Sequence, residues 1–294
     1  MSITAAMFYF GFGYVASRFH ELYGSENGQN NQGQIIGTTS LGAKNTVAFE
    51  NVSAVQKGCD DASTVLISIP PDSKGCPVFL TYGDHLKHKH IIYLSATNVY
   101  GDHEGAWVTE QSECRPETES GKNRLLAEKQ WRQFAKKHPE SRVTILRLAG
   151  IYGPGRSIFE RLDSIKERID YPGHVFSRIF VDDICQVIRS AVHLKGLDAD
   201  RVTLFNVADD FPAASRDLIE YACDKLSKPY PPLVPLEQAN LSPMGKGFYK
   251  GSKKVSNQSM KKDLGIELQF PTYKDGLDYL YEDSIKHSIN QTGK

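Results

Sequence analysis

The 294-residue sequence lacks an excess of charge of either sign: Lys+Arg and Asp+Glu are each 35. Such a balance argues against a nucleic-acid footprint spread over the surface, while leaving a small charged site open. The sequence also lacks any C-x-x-C pair. Its five cysteines (Cys59, Cys76, Cys114, Cys185 and Cys223) are odd in number and far apart. That excludes the usual patterns of a structural zinc or a disulfide framework and fits reduced thiols in a cytoplasmic protein. No basic residue precedes the apolar run near the N-terminus, so no signal peptide is expected. The run is too short to span a bilayer, and no membrane partner is expected. There is no low-complexity tail and no internal repeat.

What is present is a hydrophobic content of 40%, enough for one large domain or a core with a smaller companion. Met7–Phe10 is a continuous apolar run ending at glycine, as in a parallel strand buried on both faces. A helix is predicted from about Tyr14 to Tyr23, and "GSENGQNNQG" is read as a loop. Further strands are expected in "QIIGTTS", "TVAFE", "STVLISIPP", "HIIYLSAT", "RVTILRLAG" and "RVTLFNVADD". Helices are expected in "CPVFLTYGDHLKHKH", "NRLLAEKQWRQFAKKH", "VDDICQVIRSAVHL", "SRDLIEYACDKL" and "SMKKDLG", the last stopped by Gly265. Strands alternating with helices indicate an α/β fold with a doubly wound parallel sheet, a Rossmann fold. Residues 1–155 are read as the nucleotide-binding core. Residues 156–294 are read as the remaining sheet and a small C-terminal substrate cap, with no independent linker.

"GFGYVA" places Gly11, Gly13 and Ala16 in the pattern G-x-G-x-x-A after the first strand. Gly11 permits the tight turn, Gly13 lets the backbone approach a pyrophosphate, and Ala16 allows close helix–strand packing. The helix N-terminus would then face the phosphates. The second strand ends in "GTTS", and no acid lies between Gln34 and Ala48. An acid there would bond the ribose 2′-hydroxyl of NAD. Thr38, Thr39, Ser40 and Lys44 stand ready for a 2′-phosphate instead, so NADP is preferred over NAD. The competing reading is that these hydroxyls only shape the turn.

Together with "ISIPPD", "YLSATNVYGD", "SGKNRLLAEKQW", "LRLAGIYGPGRS", "SRIFVDDICQVI" and "FNVADD", this motif resembles the short-chain dehydrogenase/reductase superfamily. The resemblance is to its atypical extended branch, the NAD-dependent epimerase/dehydratase-like proteins, and covers nearly the whole chain. It implies a dinucleotide along the top of the sheet. Tyr14 would lie beside the fingerprint glycines and Ile69 and Pro70 near the ribose. Ser95 and Tyr100 would lie on the active-site strand exit. Ala149, Gly150, Ile151 and Tyr152 would border the nicotinamide and the substrate. Asp182 is expected to cap its helix.

In active members a tyrosine transfers the proton, a lysine four residues later lowers its pKa and holds the ribose, and a serine or threonine bonds the substrate oxygen. At the matching positions this sequence has Ser120, Arg124 and Ala96. A serine hydroxyl is too weak an acid for that role without a partner base. An arginine can bind ribose or phosphate but does not titrate as lysine does. The substitute acids considered are His103 and Tyr152. "HLKHKH" (His85, His88, His90, beside Asp84) reads as a solvated basic turn, and no metal is expected. "GKGFYKGSKK" supplies Lys246, Lys250, Lys253 and Lys254, able to attract an anionic substrate. Its aromatics, Phe248 and Tyr249, are too few for nucleic acid. The expected function is an NAD(P)-dependent oxidoreductase or epimerase-like enzyme acting on a small polar, sugar-like molecule, with a homodimer compatible. The alternative is a catalytically silent dinucleotide-binding redox sensor.

Overall fold

In the computed structural model the described residues are 7–25, 35–43, 45–194, 201–241, 245–246 and 249–292. The chain runs β1 (Met7–Phe10), α1 (Tyr14–Tyr23), β2 (Gly37–Thr39), β3 (Thr46–Ala48), α2 (Val52–Asp60), β4 (Thr64–Ile67) and α3 (Pro77–Tyr82). It continues with β5 (His90–Ala96), β6 (Trp107–Val108), α4 (Glu119–Lys137), β7 (Arg142–Leu148), β8 (Gly150–Tyr152), β9 (Arg168–Asp170) and β10 (Arg178–Phe180). Then come α5 (Val181–His193), β11 (Val202–Val207), α6 (Ser215–Lys225), β12 (Leu233–Pro235), β13 (Lys254–Val255) and the helices Gln258–Leu264 and Tyr273–Thr292. Most of "GSENGQNNQG", together with Lys44 and Phe248, lies outside the described residues.

Seven parallel strands form the central sheet in the order β3-β2-β1-β4-β5-β7-β11. All of β1 is buried because both sheet faces are covered, and its side chains alternate between two cores. Met7 and Tyr9 join α1 and α5 on one face; Phe8 and Phe10 join α2, α3 and α4 on the other. On the second face Trp131 of α4 is fully buried, its ring edge-on to Phe79 and Phe134, each 5.5 Å away. Thr118 caps α4, its hydroxyl accepting from Gly121 N at 3.1 Å.

The strand order reverses between β1 and β4, where Phe10 pairs with Thr38 on one side and Ile67 on the other. A doubly wound sheet opens its ligand crevice at such a switch point. Three short parallel pairs, β8 with β10, β9 with β12 and β6 with β13, lie outside the main sheet. β11 returns to the main sheet beside β7, so the second half of the chain completes the core as well as adding to it. Among the described residues no helix is long and apolar enough to cross a membrane.

Candidate active site

The glycine turn follows β1. Gly11 takes φ +87°, which L side chains rarely adopt, and a Cβ there would meet Ile69 Cγ1 at 2.8 Å and Ser68 Oγ at 2.9 Å. Gly13 precedes α1 with no side-chain cap, and a Cβ on it would meet nothing within 4 Å. The first turn of α1 therefore opens on free space at its positive end, and Ala16, fully buried, seats the helix against the sheet. These residues fit a dinucleotide pyrophosphate. Tyr14 reaches across from α1, its hydroxyl donating to Pro154 O at 3.0 Å, and burial raises its phenol to about 12. Ile69 is half-buried against Gly11 and Pro70 is exposed.

The hydroxyls expected to meet a 2′-phosphate divide. Thr38 is buried and its Oγ1 accepts from Gly11 N at 3.1 Å. Thr39 Oγ1 accepts from Gly42 N at 2.9 Å and lies 3.3 Å from Thr46 Oγ1. Both hydroxyls accept from backbone N–H groups, and of the three residues only Ser40 is exposed.

Ser95 faces α4 from the underside of β5. It is buried and donates to Glu128 Oε1 at 2.6 Å. Glu128 in turn holds Arg147 through Nε at 3.0 Å and Nη2 at 2.6 Å, and the Arg147 guanidinium lies 4.7 Å from the Tyr100 ring centroid. Tyr100 donates to Asn206 Oδ1 at 2.7 Å, with its phenol pushed by burial to about 12. Arg124 donates to Leu94 O at 3.0 Å, and Ser120 accepts from Asn98 Nδ2 at 3.3 Å. Ala149 is buried, donating to Val207 O at 2.9 Å, and Gly150 borders the cleft described below.

The two substitute acids are placed differently. His103 Nε2 lies 3.2 Å from Glu113 O and its Nδ1 3.1 Å from Arg115 Nη2. A carbonyl accepts only, so Nε2 carries the proton and Nδ1 accepts from Arg115. Both nitrogens are engaged, and His103 does not line the cleft. Tyr152 borders the cleft, but its phenol donates to Thr272 O at 3.3 Å and is raised by burial. His90 of the histidine cluster is buried with Nε2 2.9 Å from Thr144 Oγ1, while His85 reaches Gln56.

Asp182 departs from its expected role. α5 begins at Val181 with no side-chain cap, and Asp182, one residue inside, turns to α1. There it accepts from Arg18 Nε at 2.7 Å and Nη2 at 2.8 Å, tying the glycine-turn helix to α5. Its neighbour Asp183 is fully buried and accepts from Gln269 N at 2.7 Å and Phe270 N at 3.2 Å, anchoring the approach to the C-terminal helix.

A cleft of about 730 Å³ lies beyond the ends of β5 and β7. Its walls include Thr97 and Asn98 from the turn after β5, Gly150 and Ile151, and the loop around Arg156. Five cations border it (Arg156, Arg161, Arg178, Lys250 and Lys253) against two acids, Glu117 and Glu160. Arg178 escaped the sequence reading, hidden in the short strand β10. It is buried, donates through Nη1 to Phe176 O at 3.1 Å and Ala213 O at 3.0 Å, and has no carboxylate in ion-pair range among the described residues. Burial lowers its pKa, against the pull of Asp209.

Asp209 is itself buried, and burial lifts its carboxyl to about 8 against the Phe211 N–H bond and the Arg178 charge. An acid that holds its proton more tightly when folded stabilises the chain below its unfolded pKa and loses that contribution as pH rises through the folded value. Stability is therefore expected to fall between pH 3.8 and about 8. The slope should reach at most about 1.4 kcal/mol per pH unit for this group. Urea titrations at a series of pH values should show the slope, and Asp209→Asn should flatten it.

Fold and site define a doubly wound α/β protein with a cationic cleft beyond the ends of β5 and β7. The chain belongs to the NAD-dependent epimerase/dehydratase-like, extended branch of the short-chain dehydrogenase/reductase superfamily. The profile of the NAD dependent epimerase/dehydratase family matches residues 78–194. A functionally unknown conserved protein from Silicibacter pomeroyi is 35% identical, with 95% of this chain and 99% of that one covered and a TM-score of 0.80. Two more distant structures share the fold at 16% identity. A dTDP-glucose 4,6-dehydratase from Bacillus anthracis, solved with NAD, covers 94% and 95% of the two chains at TM-score 0.74. A UDP-glucose 4-epimerase from Thermotoga maritima, solved with UDP-glucose, covers 96% and 99% at TM-score 0.72. No curated protein matches.

Proposed function

We propose that the chain is an NAD(P)-dependent oxidoreductase or epimerase-like enzyme that acts on a small polar molecule bearing an anionic group. The observation that carries this reading is the cleft, bordered by five cations of which Arg178 is buried; the open glycine turn ahead of α1 adds to it from outside the cleft's lining residues. When bound, the dinucleotide supplies hydride chemistry, which requires of the protein chiefly binding and orientation. Gly11, Gly13 and the first turn of α1 would hold the pyrophosphate, and Ala149 and Gly150 would border the nicotinamide. Arg178, hydrogen-bonded to two carbonyl oxygens and without a salt-bridged carboxylate among the described residues, would take the substrate anion, with Arg156 and Arg161 at the rim.

No carboxylate stands among the described residues from Ile35 to Phe49, so the phosphorylated dinucleotide is the expected ligand. The dehydratase solved with NAD makes the unphosphorylated form the competing outcome. Calorimetric titration with NADPH, NADP⁺, NADH and NAD⁺ tests this. Tighter binding of the phosphorylated pair is expected, and Ser40→Asp should shift the preference towards NADH by about tenfold or more, since a carboxylate there repels a 2′-phosphate. Absence of binding by all four would end the reading. The best-bound form then enters a screen of carbonyl and sugar-like compounds, followed by dinucleotide absorbance.

A sensor without turnover is the second reading, favoured by Ala96, Ser120 and Arg124 at the family's three catalytic positions and by Arg124's tie to Leu94 O. It predicts binding that differs between oxidised and reduced forms, with no turnover in the same screen.

A further inference from the structure

Lys253 enters the cleft just before β13, in the basic segment that follows α6. Its Nζ donates to Gly101 O at 2.9 Å. Gly101 closes the 3₁₀ turn Thr97–Tyr100, and Gly251 packs on it so closely that a Cβ would meet Gly101 O at 3.1 Å. The lysine is thus fixed to the cleft wall that also carries Asn98, the residue bonded to Ser120. Ser120 stands where the family has its proton-transferring phenol. The other groups considered for that task are committed elsewhere: His103 to Glu113 and Arg115, Tyr152 to Thr272. Gly101 O takes one of the three ammonium N–H groups and is the sole acceptor of Lys253 among the described residues, leaving two for a ligand.

Resting on the oxidoreductase reading above, we propose that Lys253 is the proton-transfer group that replaces the absent phenol. The hydride is the dinucleotide's to take or give; the proton is this chain's. On oxidation of a carbinol the O–H bond breaks and its proton passes to the neutral Nζ. On reduction the ammonium returns a proton to the carbonyl oxygen. An ordinary lysine, with a pKa near 10.4, is almost wholly protonated at neutral pH and accepts poorly. Burial pulls Lys253 down from that value, with Asp102 and Glu117 opposing, which enlarges the amine fraction available to accept.

The test is competitive labelling of the full chain's amines with acetic anhydride across pH, read by mass spectrometry of the digest. Lys253 is expected to reach half-reaction at a lower pH than the solvent-exposed lysines of the same digest, because burial disfavours its charged form. Half-reaction at the same pH as those lysines would overturn the proposal. Lys253→Arg keeps the charge but not the accessible titration. It should bind the dinucleotide as the wild type does and lose about 10²- to 10⁴-fold in turnover on whichever carbonyl the wild type reduces. Unchanged turnover in that variant would sink the proposal with the cofactor reading intact. Failure of the wild type to bind any dinucleotide would instead sink the cofactor reading, and the labelling profile would still report on the amine.

Discussion

Gly13→Asp is expected to abolish dinucleotide binding while leaving the fold in place. A Cβ at this position would meet nothing within 4 Å, and the backbone is extended, with φ −93° and ψ −162°, so an L residue fits without strain. The new carboxylate would occupy the space in front of α1 where the backbone must approach a pyrophosphate, and would set a negative charge against another. It would also cap the helix, because aspartate is a favoured N-cap, so stability should hold or rise slightly. A loss of at least about 100-fold in affinity, roughly 2.7 kcal/mol, is expected by calorimetry, with an unchanged or higher urea midpoint. Gly11→Ala separates the two effects. Its φ of +87° and its contacts with Ile69 and Ser68 predict loss of stability before any question of ligand arises. Wild-type affinity in Gly13→Asp would mean that the turn is only a packing device.

The same turn shows what the sequence made legible. The apolar run and its glycines placed β1 and α1 at the bounds the structure has, Met7–Phe10 and Tyr14–Tyr23. α2 and the C-terminal helix escaped, and each carries an interior glycine that weakens the helical signal. Packing requires both. A Cβ on Gly58 would meet the Phe8 ring at 2.6 Å, and one on Gly276 would run into the Tyr152 hydroxyl. The strands β6, β8, β9 and β10 have two or three residues each, too few to show a period, and exist through partners far away in the chain. Side-chain direction was the other gap. The sequence put Ser95 at the strand exit but not on the α4 side of it, and gave Thr38 and Thr39 hydroxyls without showing which backbone groups they hold. Arg178 reads in the sequence as one more basic residue; only the fold buries it on the cleft wall.

Glu128→Ala is expected to destabilise the chain by about 3–5 kcal/mol, because it strands a buried charge. Glu128 and Arg147 have side chains only 1% and 4% exposed, so water cannot replace the lost partner. Burial works against the Arg147 charge, yet the net direction of its pKa is upward because the Glu128 carboxylate outweighs it. Ser95 would lose its acceptor at the same time. Replacing both members, with Glu128→Leu and Arg147→Met, removes charge and partner together and should recover most of the loss. Denaturant midpoints for the single and double variants, with the slope checked for constancy, read this directly. The cleft should register the change as well. Arg147 lies under the Tyr100 ring, and Tyr100 is followed by Gly101, whose carbonyl holds Lys253. The double variant, though stable, is therefore expected to leave the Lys253 wall less firmly placed than in the wild type. Its Lys253 should show a labelling profile moved towards that of the exposed lysines. A double variant with an unchanged profile would show that the buried pair supports the sheet alone and that the turn holding Lys253 stands without it.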